Sequence, residues 1–380
     1  MVRCDTVNFA LSAERHAYMM PRMTQDFLDF SQFLTHGFDD VIDVRSPAEF
    51  AEDHVPGAIN LPVLDNAERA RVGTIYVQES RFLARRIGAA LVFQNAARHI
   101  EGPLADRERD WRPLVYCWRG GQRSGAFGWM LRQIGWQAET VEGGYRSYRR
   151  AVNRMLHLAP LPFKAVLLGG YTGTAKTDLL HRLSARGVQV LDLEGLARHR
   201  GSLLGEMDAP QPSQKGFETA IAQVLARLDP ARPVVIEAES SKVGECLVPP
   251  SLWAVMRAAP WIEVSAPIKA RAVYLDHAYD DILSDTDRLR ERLAPLRSFR
   301  GREVVDRWFA MIDANDRLAL TQALMEQHYD PAYAKSRKGV DPRTLGEVAM
   351  NALDDAALDA AAARIEAIVA SWDMKDSPAG

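Results

Sequence analysis

Short apolar runs alternate with amphipathic stretches through the first two thirds of the chain. Asp26–Leu34 reads as a short amphipathic helix, and Asp40–Val44 as a short buried strand. Glu79–Phe93 has helical spacing. Pro113–Tyr116 is another apolar run, and it stops abruptly at Cys117. Ser124–Gly135 returns to helical spacing, and Ala138–Val141 reads as a strand. This alternation predicts an α/β domain built around a parallel sheet.

A basic stretch with Arg146, Arg149, Arg150 and Arg154 leads into Ala159-Pro160-Leu161-Pro162. Prolines stiffen linkers and end helices, so a domain boundary is expected there. A second α/β pattern begins at Phe163, with strands predicted at Ala165–Leu168, Val188–Leu191, Val234–Ala238 and Ile262–Val264. Beyond about residue 266 strand signals vanish, and Ala, Leu, Arg and Asp recur at helical spacing. The expected organisation is an arm (1–24), a first α/β domain (25–155), a second (163–265) and a helical C-terminal region (266–375). The final Ser-Pro-Ala-Gly is expected to fray. No internal repeat or low-complexity tract interrupts the pattern.

Composition narrows the function classes. The 380 residues are 47% hydrophobic, ample for sizeable cores. Lys and Arg number 47 against 50 Asp and Glu, a net charge of -3. Coating nucleic acid through overall positive charge is thereby excluded, while a local basic face stays open. No apolar run can span a bilayer, and Glu14, Arg15 and His16 interrupt any secretory segment. Cys4, Cys117 and Cys246 form neither a disulfide framework nor a zinc spacing, so a cytoplasmic protein is expected. Cys4 and Cys246 read as ordinary structural cysteines.

Cys117 is different. In Tyr116-Cys117-Trp118-Arg119-Gly120-Gly121-Gln122-Arg123-Ser124 a predicted strand runs straight into the cysteine. Two glycines let the backbone curl, and Arg123 and Ser124 open a helix. Backbone N–H groups and a helix N-terminus then converge on one point, which favours a thiolate or a bound oxyanion, persulfide or selenide. Arg119 and Arg123 add charge and forked hydrogen bonding. The spacing leaves two chemistries open, because Cys-x5-Arg also suits a phosphatase loop. Phosphatases of that type place histidine before the cysteine, where Tyr116 stands here.

Gly170-Tyr171-Thr172-Gly173-Thr174-Ala175-Lys176-Thr177 lies between a predicted strand and a helix. It matches G-x-x-x-x-G-K-[ST] except at Ala175. Gly170, Thr172, Gly173 and Thr174 would surround phosphate with N–H groups, Lys176 would neutralise it, and Thr177 could hold Mg2+. A negative φ at Ala175 would cost little; a positive φ would put phosphate binding in doubt. Glu237 and Glu239, at the end of a later strand, are candidates for positioning a metal or water. They fit a solvent-facing strand end equally well.

Asp43-Val44-Arg45-Ser46-Pro47-Ala48-Glu49-Phe50 and His54-Val55-Pro56-Gly57-Ala58-Ile59-Asn60, with the cysteine loop, resemble the signatures of a rhodanese domain. A rhodanese-like domain fused to a P-loop NTPase-like domain resembles the tRNA 2-selenouridine synthases. Further matching stretches are Val72–Tyr76, Glu142–Arg146, Gln211–Gln214 with Phe217-Glu218, and Glu237–Gly244. The resemblance implies action on the wobble uridine of tRNAs for Lys, Glu and Gln. It implies geranylation of 2-thiouridine from geranyl diphosphate, then replacement of S-geranyl by selenium from selenophosphate. Under it Cys117 is catalytic, with Arg119 and Arg123 stabilising anions. No cofactor beyond possible Mg2+ is required, and ATP use is not implied by the loop alone.

A tRNA partner requires positive surface. The candidates are Arg146, Arg149 and Arg150, and the Arg288–Arg307 stretch with Arg288, Arg297 and Arg300; solvated ion-paired faces are the bland alternative. Trp118, beside the cysteine, is the candidate for stacking on an unpaired base, or simply for packing. Two rival functions remain: a sulfurtransferase or Cys-x5-Arg phosphatase joined to a nucleotide kinase, and a non-catalytic scaffold.

Overall fold

A computed structural model describes residues 24–336 and 343–376, so the expected arm up to residue 23 and the terminal Ser-Pro-Ala-Gly lie outside the described residues, and Thr24 opens the first strand. Two parallel five-stranded sheets, each covered by helices, form the frame.

The first sheet contains β1 (Thr24–Gln25), β2 (Asp40–Asp43), β3 (Ile59–Asn60), β4 (Pro113–Tyr116) and β5 (Glu139–Val141), in the order β1-β5-β4-β2-β3. Its helices are α1 (Phe30–Leu34), α2 (Pro47–Glu52), α3 (Asn66–Gln78), α4 (Arg81–Glu101), α5 (Gln122–Ile134) and α6 (Tyr145–Asn153). All four residues of β4 are buried, as a strand covered on both faces requires. Pro47 opens α2 at the first helical turn, where its missing N–H costs nothing, and Glu49 accepts from the Ser46 amide at 3.1 Å.

The helical expectation for Glu79–Phe93 falls on α4, which forms a hairpin with the unexpected α3. Ser80 caps α4 by accepting from the Leu83 amide at 3.3 Å, which stops one helix and starts the next. Helix α1 begins at Phe30 rather than at Asp26, because Asp29 caps it through the Gln32 amide.

The second sheet contains β6 (Ala165–Gly169), β7 (Gln189–Leu191), β8 (Val234–Glu237), a strand at Trp261–Ser265 and one at Thr344–Ala349. Between them run α7 (Lys176–Ala185), α8 (Leu193–Ala197), α9 (Gln214–Leu225), the hairpin β9 (Lys242–Val243) and β10 (Cys246–Leu247), and α10 (Pro250–Ala258). With Trp261–Ser265 as β11 and Thr344–Ala349 as β12, the order is β12-β11-β6-β8-β7. Strand β12 corrects the expectation that strands end near residue 266. It shows only Leu345 and Val348 as large apolar residues, broken by Gly346 and Glu347, and so hides its period.

Between β11 and β12 the chain builds a helical subdomain: α11 (Ile268–Ala278), α12 (Asp280–Leu283), α13 (Thr286–Leu293), α14 (Arg297–Arg300), α15 (Arg302–Asp313), α16 (Arg317–Leu324) and α17 (Asp330–Ser336). Its own core centres on Leu289, Leu293, Trp308 and Leu320. The last helix, α18 (Asp355–Asp376), returns to pack on α7, buries Leu358, Ala362 and Ile365, and pairs Glu366 with Arg186 at 2.6 Å.

Candidate functional site

Strands β4 and β6 lie inside their sheets, and each runs into a loop and then a helix N-terminus. Ligand crevices of parallel sheets open at such carboxyl ends. The two sequence motifs occupy these two places.

At the first, Cys117 directly follows β4. Its Sγ accepts a hydrogen bond from the Ser124 hydroxyl at 3.2 Å. Burial acts to raise the thiol pKa. The Ser124 hydroxyl and amide, the Arg123 charge and the Arg119 amide outweigh it, and the net shift is downward. A buried sulfur is thus kept acidic by directed dipoles. Arg123 is itself held by Glu49 at 3.1 Å, whose carboxyl stays below its usual range: burial opposes this, and Arg123 overcomes it. Arg119 points to the exposed side.

The loop's shape depends on a second glycine pair. Gly144 carries φ 60°, and a methyl there would lie 2.2 Å from the Cys117 carbonyl oxygen. Gly120, at φ 64°, would meet the Val141 carbonyl at 2.6 Å. The Tyr145 amide donates to the Cys117 carbonyl at 2.8 Å and the Arg146 amide to that of Trp118 at 3.2 Å. The Glu142–Arg146 stretch is therefore a wall of the cysteine loop. Sequence reading took it as a point of resemblance, with Arg146 as a tRNA contact, and missed both its place in the loop wall and Ser124 as the donor to sulfur. Beneath lies Arg45, wholly buried, bidentate to Asp43 and 3.8 Å from the Tyr145 ring centre.

At the second place, Gly170–Thr177 wraps from β6 into α7. Ala175 takes φ 59°, ψ 34°, the alternative that puts phosphate binding in doubt, and a left-handed alanine costs about 1–2 kcal/mol. Its methyl is buried against the α7 and β11 core, which offsets part of that cost. Lys176 Nζ donates to the Gly170 carbonyl at 3.1 Å, and the Thr174 hydroxyl donates to that of Tyr171 at 2.8 Å. The loop is braced from the helical subdomain. Arg271 of α11 donates to the Thr172 carbonyl at 3.0 Å while forked onto Asp330 at 2.9 and 2.7 Å. The Gly170 amide donates to the Tyr333 hydroxyl at 2.9 Å. Neither brace was legible, since both partners lie about a hundred or more residues away in the chain.

Gly173, Lys176 and Thr177 open on a cavity of about 330 Å³, whose other walls include Glu194, His199, Arg200, Glu239 and Tyr279. Thr177 donates to Glu194 at 3.1 Å. A methyl on Gly201 would reach Glu194 at 2.5 Å and both Glu239 oxygens at 3.0 Å, so the two carboxylates flank one point. Burial, then the Glu194 charge, pushes the Glu239 carboxyl well above its ordinary range. The expected acidic pair thus divides. Glu239 lines the cavity, whereas Glu237 is buried below it and accepts the Glu194 amide at 2.7 Å. Among the described residues no cluster of three or more His, Cys, Asp or Glu side chains forms a protein-only metal cage.

The arginines divide too. Arg149 is turned inward, ion-paired with Glu218 and 3.9 Å from Asp53. Arg288 pairs with Glu206 at 3.4 Å, Arg297 with Asp306 at 2.6 Å, and Arg300 bonds His328 at 3.1 Å. These four are engaged within the protein. Arg146 and Arg150 are exposed and make no ion pair among the described residues. Trp118 is half-buried, its ring 5.2 Å from that of Tyr145. Cys246 is buried with its thiol pKa raised by burial, as expected of a structural cysteine.

Known proteins resemble both domains. The family described as the rhodanese-like domain matches residues 28–151, and that described as the tRNA 2-selenouridine synthase AAA domain matches 163–290. A tRNA 2-selenouridine synthase of Nitrosomonas europaea is 35% identical over 264 residues, covering 68% of each chain. One from Cupriavidus pinatubonensis is 31% identical over 342 residues, covering 82% of this chain and 92% of its own. The chain belongs to the tRNA 2-selenouridine synthase family. A Pseudomonas putida member is 37% identical over 263 residues, covering 67% of this chain and 69% of its own. The fold, a rhodanese-like and a P-loop-type parallel-sheet domain with a largely helical C-terminal region, agrees with that membership. No helix among the described residues is long and apolar enough to cross a membrane.

Proposed function

We propose that this protein replaces the 2-sulfur of tRNA wobble uridine with selenium, through an S-geranyl intermediate, in tRNAs for Lys, Glu and Gln. The thiocarbonyl sulfur attacks the first carbon of geranyl diphosphate. The carbon–oxygen bond breaks, diphosphate leaves, and the uridine N3 proton passes to solvent. Alkylation makes the sulfur a better leaving group. Selenium of selenophosphate then attacks C2, the carbon–sulfur bond breaks and geranylthiol departs. Water finally cleaves the phosphorus–selenium bond and releases phosphate.

The observation that carries this reading is a cysteine kept acidic by Ser124, Arg123 and the loop amides, in one chain with a lysine-bearing phosphate loop. The amides of Arg119 and Ser124 suit a selenophosphate anion. Cys117 Sγ, when protonated, is a stronger acid than an ordinary thiol, so giving its proton to the departing geranylthiolate is downhill. Lys176 and the loop amides suit diphosphate. Where Mg2+ binds, Thr177 and Glu194 present the hard oxygen donors it needs beside phosphate oxygens, and it would neutralise the leaving diphosphate. Arg146 and Arg150 remain the candidate phosphate contacts for tRNA, and Trp118 the candidate for stacking on an unpaired base.

The test supplies 2-thiouridine tRNA, geranyl diphosphate and selenophosphate, and follows the nucleoside by mass spectrometry. The wild type should add a prenyl mass and then a selenium isotope pattern. Cys117→Ser should stop at the prenyl product, and Lys176→Ala should lose the prenyl step. Lys176→Ala with both steps intact removes the phosphate loop from the reaction.

A further inference from the structure

The 330 Å³ cavity has two chemically different ends. One is the phosphate loop. Beyond polar walls that carry Asp192, His199 and Arg200, the other supplies apolar surface from Met207 and from Ala278 and Tyr279 at the end of α11. Past Tyr279 the wall continues into a crevice lined by Leu204, Leu283 and Leu324 of the helical subdomain. Thr172, Leu275 and Tyr279 line both spaces, so they form one continuous surface. The crevice is tight, about 20 Å³, and accepts no more than the tip of a chain.

The Tyr279 hydroxyl is already engaged with Ser202 at 3.0 Å, and Arg200 lies 5.0 Å from its ring while bonded to Asp281 at 3.1 Å. These contacts fasten the loop carrying Leu204 and Met207 to the end of α11. The ring of Tyr279 is left as an apolar face beside a phosphate-binding loop. A ligand with an anionic head and a hydrocarbon tail matches the phosphate loop and the apolar crevice together.

We propose that this wall is the prenyl subsite: the diphosphate of geranyl diphosphate sits in the phosphate loop, and its chain lies along Ala278, Tyr279 and Met207 toward Leu204. This rests on the geranyl-transfer reading above. Each methylene buried strengthens binding roughly fourfold, so the site should select by chain length.

Titration calorimetry with inorganic diphosphate, dimethylallyl diphosphate and geranyl diphosphate tests it. The wild type should prefer geranyl over dimethylallyl diphosphate by roughly a hundredfold with the tip of the chain exposed and roughly a thousandfold with it fully buried. Ala278→Trp should erase that preference while leaving inorganic diphosphate binding unchanged. Met207→Asp changes a residue 40% exposed, so folding is spared, and should cut the preference at least roughly tenfold. Full preference in both variants would overturn the subsite and leave the function intact. If the wild type binds inorganic and geranyl diphosphate alike, geranyl use itself falls. If Ala278→Trp fails to fold, Met207→Asp decides the matter.

Discussion

A thiol 3% exposed would ordinarily be inert, and burial alone would raise its pKa. At Cys117 the outcome reverses because each opposing group is aimed at sulfur: the Ser124 hydroxyl and amide, the Arg119 amide, and Arg123 held in place by Glu49. Ser124 is the replaceable member. A hydrogen bond to a charged group contributes about 1.5–3 kcal/mol, so Ser124→Ala should slow the selenium step roughly tenfold or more and spare prenyl transfer. The same change should move the pH at which Cys117 becomes reactive upward, since the thiolate loses its partner while the thiol loses little. Following iodoacetamide modification of Cys117 against pH reads this directly. Superimposable wild-type and Ser124→Ala profiles would remove Ser124 from the account.

At the scale of elements, the cysteine loop is shaped by backbone held against backbone. Gly120 and Gly121 are neighbours in sequence but differ in environment. A methyl at Gly120 meets the Val141 carbonyl at 2.6 Å with φ 64°, while one at Gly121 meets nothing within 4 Å. Gly120→Ala should therefore cost roughly 2–3 kcal/mol in urea unfolding, and Gly121→Ala should stay within about 1 kcal/mol of wild type. Equal effects would mean that the loop's contact with the β5–α6 turn is not tight. This contrast also marks what the sequence could reveal. Both glycines, the strand before them and the helix after them were legible, because turn chemistry and periodicity are local. The partner of Gly120 was not, because it lies across the sheet. Helix α3 escaped for another reason: only Ile75 is buried, so it has no apolar stripe to read. Strand β12 escaped because an edge strand with Gly346 and Glu347 inside it lacks a continuous apolar face.

The two sheets share one apolar core, which holds Phe33 and Tyr148 of the first domain with Phe217 and Ile221 of the second, and a polar joint crosses the same boundary. Asp53, at the end of α2, accepts from Thr219 of α9 at 2.7 Å and from Tyr145 at 2.8 Å. Tyr148 donates to Thr219 at 2.9 Å, and Lys215 pairs with Glu52 at 2.6 Å. Tyr145 is also the residue whose amide holds the Cys117 carbonyl, so the joint between domains is continuous with the cysteine loop. Removing the carboxylate strands two buried hydroxyls, each costing about 1–3 kcal/mol. Asp53→Ala should thus separate the unfolding of the two domains in calorimetry, turning one transition into two. Burial holds the Asp53 carboxyl above its ordinary range, against the bonds from Thr219 and Tyr145. The folded form therefore keeps its proton at a pH where the unfolded chain has lost it, and stability falls as pH rises through that window. Asp53→Asn, which cannot ionise, should flatten this part of the stability profile between acid and neutral pH. A single unfolding transition in Asp53→Ala would show that the shared apolar core and the Lys215–Glu52 pair join the halves without the carboxylate. The continuity from Asp53 through Tyr145 to Cys117 would then have no mechanical meaning.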